Sequence, residues 1–283
     1  VDHDPRYNER DNIDQTVTFL NADLQVIETS TEGFFERLDR LVSDRDAPVA
    51  TITYYLHAAL AEAISQAGFK VAISGTAADE LFTGYYDHYG FWLAEMRDRP
   101  EFPRLVNDWR QSYGRHVRNP ILQDPLAFAK NPAQRDHIYL NADLFQNLLT
   151  APFDEPFEES DYADNPLRNR MLNELCHEVV PVILKEDDLN SMRVSVENRS
   201  PYLDRSLAEF LFEVPSEHLI QDGYAKFLLR AAGKGMVADP VRLDRRKRGF
   251  NASIDSLVER SDPETKERLL ADSPIFEIVR REA

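Results

Sequence analysis

One short stretch places small, hydroxylic and acidic residues where a ligand site could form. The sequence SGTAADELFTGYY starts at Ser74 and directly follows the apolar run VAI. Ligands of open parallel sheets lie beyond the carboxyl ends of the strands, which is the position of Ser74 and Gly75. Gly75 would allow a close backbone approach, and Asp79 or Glu80 could hold a hard cation such as Mg²⁺. The alternative is a plain helix start, capped by Ser74 or Thr76, with the two acids at its positive end.

A second stretch concentrates positive charge in an otherwise acidic chain. VRLDRRKRGF, residues 241–250, ends in Gly-Phe, which indicates a loop that turns back onto the core. Its basic residues are Arg242, Arg245, Arg246, Lys247 and Arg248. Such cations could neutralise phosphate oxygens, because two unit charges about 4 Å apart at a partly shielded site attract by roughly 4 kcal/mol. The alternative is a solvated charged face.

A third stretch, residues 185–212, mixes charged and apolar side chains around a rigid turn at Pro201. The charged residues are Lys185, Glu186, Asp187, Asp188, Glu197, Arg199 and Asp204. Individually, they are typical of surface or salt-bridged positions. Together, they indicate a buried polar network or the wall of a substrate site.

The other residue types that carry chemistry add little. The seven histidines show no HxxxH or HExxH spacing, so no zinc site is predicted. The one cysteine, Cys176, excludes an intrachain disulfide, and its context predicts a buried structural thiol. We therefore expect a cytoplasmic protein, since that compartment is reducing. GxSxG, P-loop and GxGxxG motifs do not occur in the sequence.

The elements that must position these residues alternate between helix and strand patterns before residue 88. In chain order, the patterns predict a helix at 8–20, a strand at 24–30, a helix at 31–42 with Thr31 as N-cap, a helix at 48–68 and a strand at 69–74. Strands separated by helices of this length form parallel sheets that are covered on both faces. The first part of the chain is therefore predicted to be α/β.

After residue 87 the sequence is mainly helical, with proline-bearing loops. Helices are predicted within 88–99, 101–117, 166–184 and 205–214, and an exposed acidic loop at 151–166. We predict an α/β part, residues 1–87, and a helical part, residues 88–283, within one continuous domain.

Charge and composition exclude several classes of partner. The 283 residues carry a formal net charge of −17, so the surface repels nucleic acid and anionic lipid. No apolar run approaches the ~20 residues that a membrane span requires. A nucleotide site in such a chain needs a bound cation, a local cluster of basic residues, or both.

Four stretches together resemble the synthetase domain of glutamine-dependent asparagine synthetases. SGTAADELFTGYY is similar to SGxGxDExFGGY, and DLNSMRVSVENRSPYLD to DRxSMxxxxExRxPFLD. GYAKFLLR and RRKRGF are similar to GKxxLR and RxKxGF, in the same order. The similarity extends from about residue 5 to about residue 260, and β-lactam and carbapenam synthetases share this domain.

The resemblance implies a fold and a reaction. The fold would be the ATP-pyrophosphatase, or adenine nucleotide alpha hydrolase-like, type of parallel α/β sheet, followed by a mainly helical subdomain. ATP and Mg²⁺ would activate a carboxylate, aspartate or similar, as an acyl adenylate with release of pyrophosphate. Ammonia from a glutaminase domain would then form the amide, as in asparagine biosynthesis.

The resemblance also implies roles for individual residues. Ser74 and Gly75 match the turn that contacts the nucleotide, and Asp79 matches an acid that binds magnesium. Lys247 matches the lysine that stabilises the charge developing as pyrophosphate leaves, and Lys226 matches a second lysine of the family pattern. The basic stretch that contains Lys247 would lie on the pyrophosphate side.

Further matches lie on the substrate side. Glu197, Arg199 and Asp204 match the ExRxPFLD segment near the active site. Arg246, by contrast, belongs to the basic stretch on the pyrophosphate side. Thr76 stands where the family usually has a glutamate that helps to deprotonate the attacking amine or to position the substrate. A threonine hydroxyl cannot act unaided as a general base at neutral pH, so the acceptor carboxylate stays open.

The sequence also departs from the family pattern at the start of the chain. The family's SGGxDS phosphate loop lies upstream of the segment that VDHDPRYNERDNIDQTV resembles, so the sheet is expected to be N-terminally incomplete and this chain to be inactive alone. The expected partners are an upstream glutaminase domain and phosphate-loop segment. Two alternatives stay open: a non-catalytic binding or assembly module of the same fold, and a ring-closing enzyme like the β-lactam synthetases. A homodimer also stays open.

Overall fold

Two short strands form a parallel pair in the computed structural model, which describes residues 8–28, 30–138, 145–152, 156–247, 249 and 252–281. Strand β1, Val71–Ile73, pairs with β2, Glu197–Arg199, in the register Val71–Glu197. The mixed α/β class and the parallel pairing agree with the sequence prediction. More than a hundred residues separate the two strands in sequence, which is ample for the crossover connection of about a dozen or more residues that parallel strands need.

Helices account for most of the regular structure. In chain order they are α1 Arg10–Leu20, α2 Phe34–Arg45, α3 Ile52–Gln66, α4 Ala78–Leu81, α5 Tyr86–Glu95, α6 Phe102–Gln111, α7 Ala127–Lys130, α8 Pro166–Asn173, α9 Val180–Met192, α10 Arg205–Glu213, α11 Phe227–Ala232, α12 Asp239–Arg242 and α13 Pro263–Leu269. A π-helical turn, Glu174–Glu178, connects α8 to α9. No described helix is long and apolar enough to cross a lipid bilayer.

Side-chain caps explain where several of these helices begin. The Asn165 side chain accepts a hydrogen bond from Arg168 N, and Pro166 occupies the first turn of α8. Asp204 caps α10 in the same way, accepting from Leu207 N, and Asp262 caps α13. Each carboxylate or amide oxygen satisfies a backbone N–H that has no partner inside the helix.

Two expectations for the first part of the chain are wrong. Residues 24–28 and Ser30 form no strand, and Leu24 and Val26 remain 38% exposed. A β-branched run becomes a strand only where a neighbouring segment offers a hydrogen-bonding ladder, and the described residues provide none here. Thr31 does not cap α2, because the residue before Phe34 is Gly33, whose φ of 67° is left-handed.

The predicted helix at 166–184 is divided into α8, the π turn and α9. One extra residue in the π turn rotates the side chains that follow it relative to an unbroken α-helix. Cys176 lies in this turn and is exposed, so the prediction of a buried thiol is wrong. The described residues of the predicted acidic loop, up to the start of α8, are irregular as expected.

The largest apolar cluster surrounds α5. Tyr89, Phe91, Trp92 and Leu93 are each at most 2% exposed and pack against residues of α6, α7 and α8. Phe91 stacks on Phe128 with ring centroids 3.9 Å apart. A smaller cluster buries Ala77, Leu81 and Phe82 against Val180 and Leu211. This second cluster fixes α4 and the turn before it, so the segment after β1 is held by packing on the helical part.

Candidate active site

Three hydroxyl groups meet beyond the carboxyl ends of β1 and β2. Ser74 N donates to the carbonyl oxygen of Arg199 at 2.8 Å, which continues the parallel ladder by one residue. Ser74 Oγ lies 3.0 Å from Thr76 Oγ1 and 3.0 Å from Ser200 Oγ. The structure therefore places Ser74, Gly75 and Thr76 at the end of the sheet where parallel folds bind ligands.

Asp79 lies between two lysines that come from distant parts of the sequence. Lys226 Nζ is 2.5 Å from Asp79 Oδ1, and Lys247 Nζ is 2.6 Å from Asp79 Oδ2. The Lys247 ammonium also lies 5.2 Å from the centroid of the Tyr85 ring, a cation–π distance. One carboxylate against two ammonium groups leaves a local charge of +1, which suits an anionic ligand.

The ionisation of Asp79 follows from this pairing. Burial raises the pKa of the carboxyl, but the ammonium groups of Lys226 and Lys247 outweigh it and lower the pKa to about 2. Asp79 is therefore an anion throughout the physiological range. Such a carboxylate is a weak base and a good ligand for a hard cation.

Gly84 makes room for this arrangement. A Cβ atom at Gly84 would lie 1.8 Å from Asp79 Oδ1 and 2.5 Å from Lys226 Cε. No side chain fits in that space unless both partners move. The glycine of the TGYY segment is therefore explained by the close approach of the Asp79–Lys226 ion pair.

Left-handed backbone surrounds the same site. Ala77 has a φ of 75°, Thr83 of 59° and Lys226 of 56°. Such φ values cost energy in residues other than glycine and are concentrated at functional sites. The pattern SGxGxDExFGGY has glycine at the positions of Ala77 and Thr83. No side chain caps α4, so the alternative in which Ser74 or Thr76 acts as its cap is wrong.

A cavity of about 640 Å³ opens beside these residues. Its walls come from α3, β1 and the following turn, α4, α9 and β2, together with Lys247 and Gly249. Five of the residues predicted from the sequence line it, namely Ser74, Gly75, Thr76, Asp79 and Lys247. Asp187, from the charged stretch predicted to form a buried polar network or a substrate wall, lines it too. Polar residues that the sequence prediction did not select line it as well, namely Thr51, Thr53, Tyr54, Tyr85, His57, Asn190, Ser191 and Asn198.

Of the other five predicted residues, Lys226 pairs with Asp79 but is not among the described residues that line the cavity, and four lie elsewhere. Glu197 and Arg199 form an ion pair with each other, 2.9 Å apart, on the exposed side of β2. Side chains alternate along a strand, so Asn198, which lies between them, faces the cavity instead. Asp204 caps α10, and Arg246 pairs with Asp244 at 2.7 Å. None of Glu197, Arg199, Asp204 and Arg246 is among the described residues that line the cavity, and their substrate-side and pyrophosphate-side roles stay predictions.

A buried charged cluster is formed by residues of α5, α8 and the π turn, together with His137. His88 Nε2 is 2.6 Å from Glu174 Oε2, and Arg170 Nε donates to Glu174 Oε1 at 3.0 Å. Asp87 Oδ2 is 3.2 Å from His137 Nε2. Asp87, His88 and Glu174 bring ligand-type atoms within 4.8 Å of one another, but the Arg170 guanidinium already compensates the carboxylates. We interpret the cluster as structural.

The fold and the site define an α/β protein with a Lys–Asp–Lys ion-pair cluster beyond the ends of parallel strands. The family model described as Asparagine synthase matches residues 1–283, and the chain belongs to this family. The family expected from the four sequence stretches is thereby confirmed.

Two relatives from Bacillus subtilis (strain 168) are similar to this chain. Asparagine synthetase [glutamine-hydrolyzing] 1 is 28% identical over 250 residues, which cover 80% of this chain and 37% of the relative. Asparagine synthetase [glutamine-hydrolyzing] 3 is 28% identical over 173 residues, which cover 61% of this chain and 25% of the relative. The chain thus spans little more than a third, at most, of the length of these curated relatives.

Proposed function

We propose that this chain forms the later part of the active site of an ATP-dependent, amide-forming ligase. The enzyme adenylates a carboxylate, aspartate or similar, and transfers ammonia derived from glutamine to the acyl group. The observation that carries the proposal is the Lys226–Asp79–Lys247 arrangement at the ends of the parallel strands. Membership of the asparagine synthase family and the similarity to two glutamine-hydrolysing synthetases support it.

Electrostatics favour a polyphosphate in the pocket. The protein carries −17 overall, and its general field repels ATP. The two lysines reverse the sign locally around Asp79, where the partly buried groups interact more strongly than they would in bulk water. As the bond between the α- and β-phosphates breaks, negative charge builds on the leaving pyrophosphate. In this proposal Lys247 and Lys226 stabilise that charge.

The donor set at Asp79 fits Mg²⁺ when phosphate binds with it. The ion prefers oxygen ligands and is commonly held by one or two carboxylates together with substrate phosphates. A bare cation beside two ammonium groups would be repelled, whereas a Mg²⁺–polyphosphate complex brings enough negative charge to neutralise both ammonium groups. When bound, the ion would neutralise phosphate oxygens and orient the leaving group.

The free edge of the sheet supports a contribution from an upstream segment. Within the described residues, β1 pairs with β2 alone, and Val71 and Ile73 are 43% and 75% exposed. The unpaired backbone edge of a strand can accept a further strand, and exposed apolar side chains on a sheet face indicate a surface that another segment covers. We propose that an upstream segment carrying a phosphate loop adds to β1, giving the complete ATP-pyrophosphatase type of sheet, and that a glutaminase domain supplies the ammonia.

The test measures pyrophosphate release by the natural full-length protein with Mg-ATP, ammonia and a carboxylate acceptor, L-aspartate first and then sugar acids. Lys247→Ala is expected to lower release about 100-fold, in the range seen when one charge-stabilising group is removed. The matched control is Lys266→Ala, because Lys266 is an exposed lysine on α13. Far-UV circular dichroism checks that both variants are folded.

Two results would overturn the proposal. Unchanged turnover in Lys247→Ala would remove the role of Lys247 as the stabilising cation. A full-length wild-type protein that releases no pyrophosphate with any acceptor would instead favour a non-catalytic binding module.

A further inference from the structure

A histidine and an aspartate form a hydrogen-bonded pair in the wall of the cavity. His57, on α3, places Nδ1 2.6 Å from Asp187 Oδ1, on α9, although the two residues are 130 positions apart. The other carboxylate oxygen of Asp187 accepts from Asn198 Nδ2 at 3.2 Å. Both carboxylate oxygens are thus held, and all three residues line the cavity.

The pairing fixes the orientation and the tautomer of the imidazole. A carboxylate that accepts from Nδ1–H keeps the proton on that nitrogen, so that Nε2 carries the basic lone pair. Asp187 is 8% exposed, and the Tyr54 ring meets His57 edge-on at 5.7 Å. Asn190 Nδ2 donates to the Tyr54 carbonyl oxygen at 3.0 Å and fixes α3 against α9. The dyad is therefore rigidly built into the helix pair.

Amide formation needs a group that takes up a proton near neutral pH. Asp79 is unsuitable, because its pKa is lowered to about 2 by the two lysines. The Thr76 hydroxyl is not basic, and the Tyr85 hydroxyl already donates to Glu80 Oε1 at 2.5 Å. An imidazole nitrogen is the commonest general base in enzymes, and His57 is the histidine among the described residues lining the cavity.

We propose that His57, oriented by Asp187, is the proton acceptor for the attacking nitrogen; this inference rests on the function proposed above. The nitrogen lone pair forms the C–N bond with the acyl carbon, and the bond to the AMP oxygen breaks, so AMP leaves with that electron pair. The N–H proton of the adduct passes to His57 Nε2 and then to solvent. Atoms and charge balance without a further reactant.

The charged groups around the dyad are compatible with this role. On α9, Glu186 neighbours Asp187 but is neutralised by Arg45, with Oε2 and Nη2 2.7 Å apart. Burial, followed by the charges of Glu186 and Asp187, raises the pKa of Tyr54 on α3, so this phenol stays neutral. Asp79, on α4, and Lys247 face the cavity as an ion pair.

The experiment separates the two half-reactions of the natural full-length protein. Adenylation is measured as carboxylate-dependent ATP–pyrophosphate exchange, and amide formation is measured with ammonia across a pH series. His57→Gln is expected to lower amide formation about 100-fold while exchange stays within about threefold. Asp187→Asn is expected to lower amide formation about tenfold and to shift its acidic pH limb. His116→Gln, at an exposed position, is the control.

Chemical rescue guards against a trivial loss of structure. Imidazole added to His57→Ala is expected to restore part of the amide formation and to leave exchange unchanged. The proposal is overturned if His57→Gln leaves amide formation intact, or lowers exchange and amide formation in parallel. A wild-type protein that shows no exchange with L-aspartate or sugar acids overturns the proposed function itself, an outcome distinct from a selective failure at His57.

Discussion

Lys247 Nζ donates to Asp79 Oδ2 at 2.6 Å, although the two residues are 168 positions apart in the sequence. The contact connects the loop after α12 with the first turn of α4, which follows β1. Lys226, which precedes α11, reaches the other oxygen of the same carboxylate at 2.5 Å. Asp79 therefore joins the sheet end to two segments of the helical part, and the site exists only when both parts are folded together.

The Asp79 ion pairs predict a pH-dependent contribution to stability. Because the pKa in the folded protein, about 2, lies below the ordinary value of 3.8, the contribution is present above pH 4 and is lost as the pH falls towards 2. Asp79→Asn should lower the free energy of unfolding at pH 7 by on the order of 2 kcal/mol. Urea denaturation from pH 7 to pH 2.5 should show this difference shrinking.

Asp98→Asn is the control for that series, since the Asp98 carboxylate is 90% exposed. This variant should match the wild type throughout the pH range. A penalty for Asp79→Asn that is as large at pH 2.5 as at pH 7 would contradict an electrostatic origin.

Gly84→Ala is expected to damage the site through a steric clash. The added methyl would meet Asp79 Oδ1 at 1.8 Å and must displace the ion pair with Lys226, at a cost of about 1–3 kcal/mol. At Gly75 a Cβ would meet nothing within 4 Å, so Gly75→Ala should keep wild-type stability. Thermal denaturation of both variants makes the comparison, and equal melting temperatures would refute the steric argument.

A pair of alanines tests whether the left-handed backbone before α4 is strained. Ala77, with a φ of 75°, should accept glycine with little net change, because the relief of about 1–2 kcal/mol offsets the lost methyl burial and the added chain entropy. Ala78, the first residue of α4, should lose about 0.5–1 kcal/mol when replaced by glycine. In urea denaturation, the free energy of unfolding should be higher for Ala77→Gly than for Ala78→Gly. The reverse order would show that Ala77 is unstrained.

Much of the site follows from local sequence, and its limits have physical causes. The SGTAADE segment carries its own signals, namely an apolar strand, a glycine turn and adjacent acids, and it lies where predicted. The proximity of Asp79 to Lys226 and Lys247 is a long-range contact, and four ordered motifs matched to a family implied it. No local sequence pattern predicts the contact between His57 and Asp187, because each is a single polar residue on a helix face.

Local patterns misled where tertiary context decides. The sequence LQVIETS has strand composition, yet the described part of it finds no ladder partner. Alternation on β2 turns Asn198 into the cavity and Glu197 and Arg199 out of it, which depends on the register with β1. The register is set by residues more than a hundred positions away, so it cannot be predicted from the sequence of β2 alone.

The raised pKa of His88 predicts a second pH-dependent contribution to stability, opposite in sign to that of Asp79. Burial lowers its pKa, but the carboxylates of Glu174 and Asp87 outweigh this and raise the pKa above the ordinary value of 6.5. A raised pKa stabilises the folded protein below pH 6.5, and that contribution is lost as the pH rises through the folded-state value. His88→Gln should therefore cost more stability at pH 6 than at pH 9. His116→Gln, at an exposed position, should show no such trend.

Arg170 holds the largest concentration of buried charge in the described part of the chain. Its guanidinium is 3% exposed and bonds to Glu159 at 2.8 Å, to Glu174 at 3.0 Å and to Glu178 at 2.9 Å, with Asp87 at 3.8 Å. Although burial opposes it, these carboxylates raise the pKa of Arg170. The cation is therefore the group that allows several acids to remain ionised away from water.

Arg170→Met should leave these acids without a counter-charge and destabilise the fold by about 3–5 kcal/mol at pH 7. Acidification protonates the unpaired carboxylates, so the penalty should become smaller at pH 5, where less charge has to be buried. Arg205→Met removes an exposed arginine paired with Glu209 on α10, and it should cost no more than about 0.5 kcal/mol. Urea denaturation at the two pH values measures both variants. An equal penalty for Arg170→Met at pH 7 and pH 5 would mean that lost packing, not unpaired charge, explains the destabilisation.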